Sequence, residues 1–497
     1  MELHPPPRHA TLIYRRALTG VCNVKVDFGA VGNGTTDDRA AIQAALDSSS
    51  CRILYFPPGT YLINSSLLLS SNNILTGAGR TVTTIKLNAA TAGVNDEVIR
   101  TSNFTGSAHS TLVSNIGIEN MTLDGDCWNP ARANPAPGTA STIRGSTLLL
   151  STVENAFVRN CRIMNGNKHC LDIAASTYQT SGALTRATGP SRNVVVENCE
   201  GVDPYFDDCF TVHDSGDLVI RDCRLRMNTS RQPLRNDFQN GVEVDDGSYR
   251  VMVENCYARG FARGFQVKGH EFNYPARDVT LSRCTAYECN VGFQIWYPLH
   301  TMRETNPSVA NHAQSIFIRD CTVALSTTVL GYDKGMFALS IGGYQNVSVD
   351  GFSVEGGTYS ARAIYVYELA DNVSFENILF KNITVPSPPI MNGLIHFFTE
   401  ATGVYSVRNV AYTRQGSGTT SLPIPVVWVT PSVAEISIRQ ITAALASGVA
   451  GVSVYYLRNS DLNELKFTGN STPVNIRGGS PSGNLSVRAA VNNKFSS

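Results

Sequence analysis

Short stretches of alternating apolar and polar residues recur along the chain, and each ends in a turn followed by a cysteine. Six of them read FVRNC, VVENC, VIRDC, MVENC, TLSRC and FIRDC, and they end at Cys161, Cys199, Cys223, Cys256, Cys284 and Cys321. Alternation with a period of two is typical of a β-strand with one buried face. Successive cysteines are 24 to 38 residues apart. This spacing fits one coil of three short strands and three turns, with loops of variable length.

A second strand follows most of these stretches. The second strands read HCLDIAAS, DCFTVHDS, NGVEVDDG, RGFQVKGH and VGFQIWYP, starting at His169, Asp208, Asn240, Arg263 and Val291. The predicted inward positions are all apolar, namely Leu171/Ile173, Phe210/Val212, Val242/Val244, Phe265/Val267 and Phe293/Ile295. The predicted outward columns are Asp172, Thr211, Glu243, Gln266 and Gln294, and beside them Ala174, His213, Asp245, Lys268 and Trp296. Parallel stacking would set equivalent side chains about 4.8 Å apart. The pattern therefore predicts an all-β solenoid, a single-stranded parallel β-helix.

The N-terminal third predicts one short helix over residues 36–50. Thr36 is a plausible N-cap, and Asp37 and Asp38 fall in the first turn, where the helix dipole favours negative charge. The predicted apolar face consists of Ala41, Ile42, Ala45 and Leu46. A solenoid needs such a cap to cover the open end of its core.

Composition narrows the class of partner. Charged residues make up 16% of the 497, and Lys plus Arg equals Asp plus Glu at 40 each. This balance argues against nucleic acid or an anionic membrane as partner. No stretch is long and apolar enough to predict a membrane span, and the N-terminus shows no signal-peptide core. We expect an N-terminal tail over residues 1–21 and one β-helix domain over 22–497.

The 12 cysteines lie between Cys22 and Cys321 and show no CxxC or Cys/His spacing for zinc. Because six of them occupy matching points of successive coils, we expect mostly packed thiols. The sequence does not decide whether any of the cysteines form disulfides.

Two segments of the opening, VDFGAVGNGTTDDRAAIQAALDSS and ILYFPPGTYLI, closely resemble the pectate-lyase-like right-handed parallel β-helix superfamily. The superfamily includes pectin-degrading hydrolases and lyases, uronate epimerases and phage tailspike depolymerases. The resemblance implies the right-handed form of the β-helix and work on carbohydrate. It does not choose among these reactions.

Within the superfamily, the segment FDDCFTV is similar to the GDDC motif of polygalacturonase-type hydrolases, at Asp207, Asp208 and Cys209. Their RIK motif is similar to FQVK, which retains Lys268 and has Gln266 in place of the arginine. Their NTD and GHG motifs meet only NKH (167–169) and QNG (239–241), so that aspartate and that histidine are absent.

Candidate catalytic residues follow from the outward columns. Asp207, Asp208, Glu243 and Asp245 are expected to cluster on two consecutive rungs. Hydrolysis of a glycosidic bond needs a carboxylic acid and a carboxylate, about 5–5.5 Å apart in retaining enzymes and about 6.5–9.5 Å in inverting ones. Crowding of carboxylates would raise the pKa of one of them, as a general acid requires. The competing interpretation is a solvated acidic ladder, and the sequence leaves the stereochemistry open. Asp203 and Asp217 are predicted to be turn residues.

Candidate substrate-binding residues flank these acids. The cations and histidines that suit a sugar hydroxyl or carboxylate are His213, Arg263, Lys268 and His270, and the aromatic residues that suit a sugar ring are Trp296 and Tyr205. Ordinary surface placement or loop packing is the alternative for each of them.

Three functions remain open. The first is a polysaccharide hydrolase that needs no cofactor or metal. The second is a polysaccharide lyase or uronate epimerase with His213, Lys268 or Arg263 as base, in which Glu243 and Asp245 would hold calcium. The third is a glycan-binding tailspike or adhesin without catalysis. All three predict an extracellular or virion-associated protein, and a tailspike role would favour a homotrimer.

Overall fold

The computed structural model describes most of the chain up to residue 413, followed by the backbone of shorter segments together with the side chain of Val427. The described residues are 20–93, 95–103, 111–132, 145–175, 189–228, 239–271, 273–305, 308, 311–324, 336–357, 362–383, 394–398, 403–414, 424–429, 435–445, 452–456, 460–465 and 475–478. The chain divides into two compact units, the first ending at Ala262 and the second beginning at Arg263. No described helix has the length and apolar character required to cross a membrane.

Short strands and one helix make up the described part of the first unit. They are β1 (Val21–Asn23), β2 (Asn33–Asp37), α1 (Arg39–Asp47), β3 (Ile53–Phe56), β4 (Gly59–Ile63), β5 (Leu67–Leu69), β6 (Ile74–Gly77), β7 (Thr83–Leu87), β8 (Ile99–Thr101), β9 (Val113–Glu119), β10 (Thr122–Asp124), β11 (Leu148–Ser151), β12 (Val153–Arg159), β13 (Arg162–Met164), β14 (Leu171–Ala174), β15 (Arg192–Glu197), β16 (Glu200–Val202), β17 (Phe210–His213), β18 (Gly216–Arg221), β19 (Arg224–Arg226), β20 (Asn240–Asp245), β21 (Tyr249–Glu254) and β22 (Tyr257–Arg259).

These strands form three parallel ladders. One ladder runs β1, β3, β6, β9, β12, β15, β18, β21. The second runs β2, β4, β7, β10, β13, β16, β19, β22. The third, which we call the site ladder, runs β5, β8, β11, β14, β17, β20. From β3 to β20, each coil supplies one strand to each of the three ladders, which confirms the predicted parallel β-helix.

The register within the site ladder confirms the predicted inward columns. Leu171 pairs with Phe210, and Phe210 pairs with Val242 on the next rung. All three side chains are buried. Burial of each such side chain stabilises the fold by about 1.5–3 kcal/mol. The apolar positions therefore set the register, because a shift by one residue would expose all of them.

The repeated turn before each cysteine has a backbone reason. Asn160, Asn198, Asp222 and Asn255 all have φ between 49° and 56°. Asn and Asp are the non-glycine residues that most readily adopt this left-handed conformation. The cysteine that follows each of them then points into the core, and all four thiols are buried and free. The cysteine prediction is confirmed, with one addition: Cys22 and Cys51 form a disulfide.

The predicted cap is present, but its start was placed wrongly. Residues 33–37 form β2, and α1 begins at Arg39 with Asp38 as its N-cap. The Asp38 carboxylate accepts hydrogen bonds from the backbone N–H groups of Val31 and Gly32, at 2.6 and 2.9 Å. It therefore anchors the preceding loop, and neither Asp37 nor Asp38 lies in the first turn.

The helix covers the first strand of the site ladder through a residue that the pattern analysis left out. The amide of Gln43 donates to the carbonyl of Leu68 and accepts from its N–H, at 3.1 and 2.9 Å. Gln43 is buried beside Ile42, Ala45 and Leu46. Its side chain thus supplies hydrogen bonds to β5 that a neighbouring strand would otherwise provide.

The second unit contains the same kind of stacking. Its described elements are β23 (Arg263–Lys268), β24 (Arg277–Ser282), β25 (Thr285–Tyr287), β26 (Val291–Trp296), α2 (Leu299–Thr305), β27 (Gln314–Arg319), β28 (Thr322–Ala324), β29 (Phe337–Gly342), β30 (Gln345–Asp350), β31 (Ser353–Glu355), β32 (Ile364–Tyr367), β33 (Asp371–Lys381), β34 (Ile395–Phe397), β35 (Val404–Arg414), β36 (Ile424–Val429), β37 (Glu435–Leu445), β38 (Val452–Tyr456), β39 (Ser460–Leu465) and β40 (Asn475–Gly478).

One parallel ladder of this unit runs β23, β26, β29, β32, β34, β36, β38, β40. A second runs β24, β27, β30, β33, β35, β37, β39. The third ladder runs β25, β28, β31 and then β33. Strand β33 has 11 residues, and it pairs with β30 of the second ladder as well as with β31 of the third. The predicted pairing of Phe265 with Phe293 is confirmed, and both rings are buried. Helix α2 was not predicted. The proposed division at residues 21 and 22 stays a prediction.

Candidate functional site

The outward columns of β14, β17 and β20 meet as predicted, but most of their members are buried. Thr211 pairs with Glu243 and His213 with Asp245, while Asp172 pairs with Thr211 on the preceding rung. Asp172, Glu243 and Asp245 are each at most 3% exposed. A solvated acidic ladder is therefore excluded at these positions. We call the set Asp172, His213, Glu243 and Asp245, with Lys168, His169, Asp207 and Asp208 beside it, the polar site.

Asp172 lies between two imidazoles. Its Oδ1 is 3.0 Å from Nδ1 of His213, and its Oδ2 is 3.4 Å from Nδ1 of His169. The two rings are 5.7 Å apart between centroids. On its far side, His213 places Nε2 3.9 Å from Oδ2 of Asp245. One carboxylate thus orients both histidines, as a positioning group does for an acid or base.

The local electrostatics favour the charged forms of Asp172 and His213, which form the closer of the two carboxylate–imidazole pairs. Burial alone would raise the pKa of Asp172, but the imidazoles of His213 and His169 hold it well below its ordinary value. Burial alone would lower the pKa of His213, but Asp172, with a smaller contribution from Asp245, raises it to about 9. His213 is therefore an imidazolium at neutral pH, able to donate a proton.

Asp207 and Lys168 form the accessible edge of the polar site. Both side chains are 29% exposed, and Lys168 Nζ lies 3.8 Å from Asp207 Oδ2. The same carboxylate oxygen is 3.5 Å from Nε2 of the buried His169. His213, with 11% of its side chain exposed, is the next most exposed member of the set, whereas Asp172 is 4% exposed. A bound substrate would therefore meet Asp207, Lys168 and His213 first.

The remaining carboxylates hold neighbouring strands. Asp208 accepts a hydrogen bond of 3.0 Å from the backbone N–H of Asn240, the first residue of β20. Glu243 accepts one of 2.9 Å from the side-chain amide of Asn240 and one of 3.4 Å from the hydroxyl of Thr211. Asp245 accepts a hydrogen bond of 2.7 Å from the N–H of the next residue. The four predicted acids therefore lie in one region, but Asp207 is partly exposed and the other three are buried.

Tyr205 packs within a loop. Its ring lies 4.7 Å from that of Trp128 and 4.7 Å from that of Phe206. Together with Cys127 these residues form a small apolar cluster, and Tyr205 is 9% exposed. The tyrosine therefore presents little of its ring to a sugar and instead supports the segment that carries Asp207.

The other predicted binding residues lie in the second unit. Arg263 donates to Gln294 Oε1 at 2.6 Å, and Gln266 donates to the same oxygen. Lys268 Nζ lies 3.2 Å from His270 Nε2. Trp296 is partly exposed and donates to Glu368 at 2.9 Å. These residues form a polar column with an aromatic neighbour, on the outward side of β23 and β26.

A calcium ion fits the Glu243–Asp245 group poorly. Both Glu243 oxygens already accept hydrogen bonds, and a charged imidazole lies beside Asp245. Calcium binds to six to eight oxygens, and a neighbouring imidazolium repels it. Among the described residues, His213, Glu243 and Asp245 offer one ligand atom each within 4.8 Å of one another, a mixed nitrogen and oxygen set that could hold a metal ion but differs from the all-oxygen set of calcium.

Sequence reasoning missed Asp172, His169 and Lys168 as members of the site. Asp172 stands in the predicted outward column, but it is the single acid of its strand, whereas the rungs with FDDC and NGVEVDD each carry several. His169 lies in the NKH segment (167–169), where the resemblance implies an aspartate. The available signal was the column itself, since Asp172 stands one rung before Thr211 and two rungs before Glu243.

Known proteins resemble different parts of this chain. A family model described as rhamnogalacturonase A/epimerase, pectate lyase-like matches residues 21–203, and one described as right handed beta helix region matches residues 138–281. The pre-neck appendage protein of Bacillus phage phi29 is 31% identical over 245 residues, which are 49% of this chain and 27% of that protein. The mannuronan C5-epimerase AlgE6 of Azotobacter vinelandii is 39% identical over 117 residues, 22% of this chain and 13% of that enzyme.

The crystal structure of the bacteriophage phi29 gene product 12 N-terminal fragment has the same fold. It superposes with a TM-score of 0.71 at 23% identity and covers 87% of this chain and 68% of that one. The chain spans only about a quarter of the length of the phi29 appendage protein that it matches. The family models thus match part of the chain: residues 21–203 are similar to the pectate-lyase-like family and residues 138–281 to right handed β-helix proteins, in agreement with the fold described above.

Proposed function

We propose that this protein acts on an extended polysaccharide and that the polar site is its reaction centre. The supporting observation is the line of contacts from Asp207 through His169 and Asp172 to His213. It joins an accessible carboxylate to an imidazolium on one face of the site ladder. A scaffold that only binds glycans has no need of such a buried network.

Hydrolysis of a glycosidic bond is the first reaction that these groups suit. It requires a proton donor for the glycosidic oxygen and a carboxylate that activates water or attacks the sugar. In this proposal Asp207 is the carboxylate, because a substrate can reach it. His213 is the proton donor, and Asp172 is its positioning residue. Asp208, Glu243 and Asp245 keep the strands and the histidine in place.

A lyase or epimerase reaction on a uronate is the second candidate. Lys168 favours it, because a partly exposed ammonium group would bind the substrate carboxylate and stabilise the anion formed when the neighbouring Asp207 carboxylate accepts the sugar proton. The similarity of part of the chain to a mannuronan epimerase supports the same substrate class. In this reaction no water adds to the sugar, so the products differ from those of hydrolysis.

The relatives support an extracellular or virion-associated place for the protein. Phage appendage proteins match up to 72% of the chain. We therefore propose a role in a phage-type appendage that meets a surface glycan. The homotrimer that such a role favours stays a prediction, and sedimentation of the full chain would give its mass relative to the 53.7 kDa protomer.

One digestion experiment separates the candidates. The full chain is incubated with acidic and neutral polysaccharides, with and without chelator, and new reducing ends and ultraviolet absorbance are followed together. Reducing ends without absorbance indicate hydrolysis, and absorbance from an unsaturated uronate indicates elimination. Exchange of the sugar C5 proton in deuterated water without either signal indicates epimerisation. We expect chelator to leave the activity unchanged.

Variants then test the assignment of the reaction centre. We expect Asp207→Asn and His213→Gln each to lower turnover by at least about 100-fold, the usual contribution of a positioned acid or base. Asp217→Asn is the matched control, because Asp217 lies in a left-handed turn and pairs with Arg250 on another ladder. Full activity of both site variants would refute the assignment. Inactivity of the wild type on every glycan would favour a binding role.

A further inference from the structure

An aromatic cluster with an arginine lies on one ladder of the second unit. Tyr365 and Tyr367 alternate with the buried Ile364 and Val366 in β32, so their rings point away from the core. The aromatic cluster consists of Phe337, Arg362, Tyr365, Tyr367, His396 and Phe398. No part of the proposed reaction uses these residues.

Three rings of the cluster form a row. Phe337 and Tyr365 are 5.5 Å apart with 14° between their planes, and Tyr365 and Tyr367 are 4.6 Å apart with 7°. Phe398 meets Tyr365 edge to face at 5.6 Å. Phe337, Tyr365, Tyr367 and Phe398 are all partly exposed. Because the stacked rings cover part of one another's faces, the aromatic surface left for the apolar face of a sugar ring is the outer, exposed part of this row.

Arg362 adds a positive charge to this surface. Its guanidinium carbon lies 3.8 Å from the centroid of the Tyr365 ring, and it donates to His396 Nδ1 at 3.3 Å. Within the described residues, no carboxylate pairs with Arg362, and its buried Nε has no hydrogen-bond partner. Burial and Arg362 lower the pKa of His396 to about 4, so this imidazole is neutral and does not add to the charge.

A guanidinium half enclosed by rings loses hydration, which is costly unless an anion or an acceptor compensates. Cation–π contact with Tyr365 compensates in part. The combination favours a ligand that has both a ring to stack and a negative charge to pair.

We propose that the aromatic cluster is a second saccharide-binding site, which takes a carboxylate-bearing sugar of an acidic glycan. The sugar ring lies on the exposed aromatic surface, and its carboxylate pairs with Arg362. The site deepens the proposed function by naming the class of glycan. It lies wholly within the second unit, so it binds whether or not the polar site is catalytic.

Calorimetric titration of the full chain tests this site. The probes are a tetragalacturonate, an alginate tetrasaccharide and, as the neutral comparison, maltotetraose. Asp207→Asn serves as the background, so that no turnover removes the ligand. We expect at least one acidic probe to bind, and Arg362→Gln to weaken that binding by about tenfold or more.

Arg319→Gln is the matched control, because Arg319 also lies over a ring, that of Phe317 at 5.5 Å, but in β27 on a different ladder. It should leave binding unchanged, and Tyr365→Leu should weaken it. Equal binding by the Arg362→Gln variant, or no binding of either acidic probe, would overturn the proposal. Absence of turnover by the wild type on every glycan, with binding of an acidic probe retained, would instead count only against the polar site.

Discussion

At the scale of single residues, the polar site is a case of one carboxylate shared by two imidazoles. Asp172 contacts His213 and His169 through separate oxygens. The low pKa of Asp172 and the high pKa of His213 have the same cause, since each charge stabilises the other within a buried site. The proton that the proposed reaction requires is therefore held by a pair and not by His213 alone.

The shifted pKa of His213 gives a prediction that nuclear magnetic resonance can check. With the histidines isotopically labelled, the His213 ring should titrate near pH 9. In Asp172→Asn we expect its pKa to fall by more than about 2 units, because burial then acts without the carboxylate. A His213 that titrates near its ordinary value of 6.5 in the wild type would contradict the pairing.

Stability should follow the same pair. A raised pKa in the folded state stabilises the fold fully below the unfolded value of 6.5, and this contribution disappears as the pH rises through about 9. The free energy of unfolding of the wild type should therefore exceed that of His213→Gln by more at about pH 6 than at about pH 10. Asp172 acts in the opposite sense, since its stabilising contribution is lost only when strong acid protonates it.

At the scale of elements, the cap helix shows how a side chain can take the place of a strand. Gln43 makes two hydrogen bonds with the backbone of Leu68 in β5, and its amide also donates to Asp47 at 2.9 Å. A second contact supports the helix end, where Asn73 donates to the carbonyl of Leu46 at 3.2 Å. The apolar face provides burial, and these amides provide the edge pairing that ends the ladder.

Replacement of Gln43 by Leu should separate these two contributions. Leucine keeps a buried side chain of similar size but leaves two backbone groups of Leu68 without partners. We expect a loss of about 1–3 kcal/mol in the free energy of unfolding. Ala44→Gln, on the exposed side of the same helix, is the control and should change little. Denaturant unfolding measures both, and an unchanged stability of Gln43→Leu would refute edge pairing by this amide.

At the scale of the whole molecule, the cysteines divide into two classes. Ten are free and buried, and Cys22 and Cys51 form the disulfide that ties β1 to the segment after α1. Most of the cysteines are therefore buried free thiols, and two are oxidised to a disulfide. The thiols act as small apolar side chains of the core.

This division predicts the reactivity of the full chain. A thiol reagent should modify almost none of the native protein within minutes, and ten thiols per chain after denaturation without reductant. With reductant removed after full reduction, the denatured count should rise to 12. Rapid modification of several thiols in the native state would mean that the coils around the cysteine columns open readily.

Alternation alone was enough to place the core residues, the columns and the cysteines, because each strand residue has two possible faces and burial selects one. The burial of Leu171, Phe210 and Val242 follows from this alternation alone. The same local rule put Asp172, His213 and Asp245 in outward columns but did not reveal that they are buried. Their burial, the sharing of Asp172 between two histidines and the exposure of Asp207 all depend on coil lengths and covering segments. Contacts between residues about 40 positions apart decide these features, and no local pattern encodes the distance or solvation of such pairs.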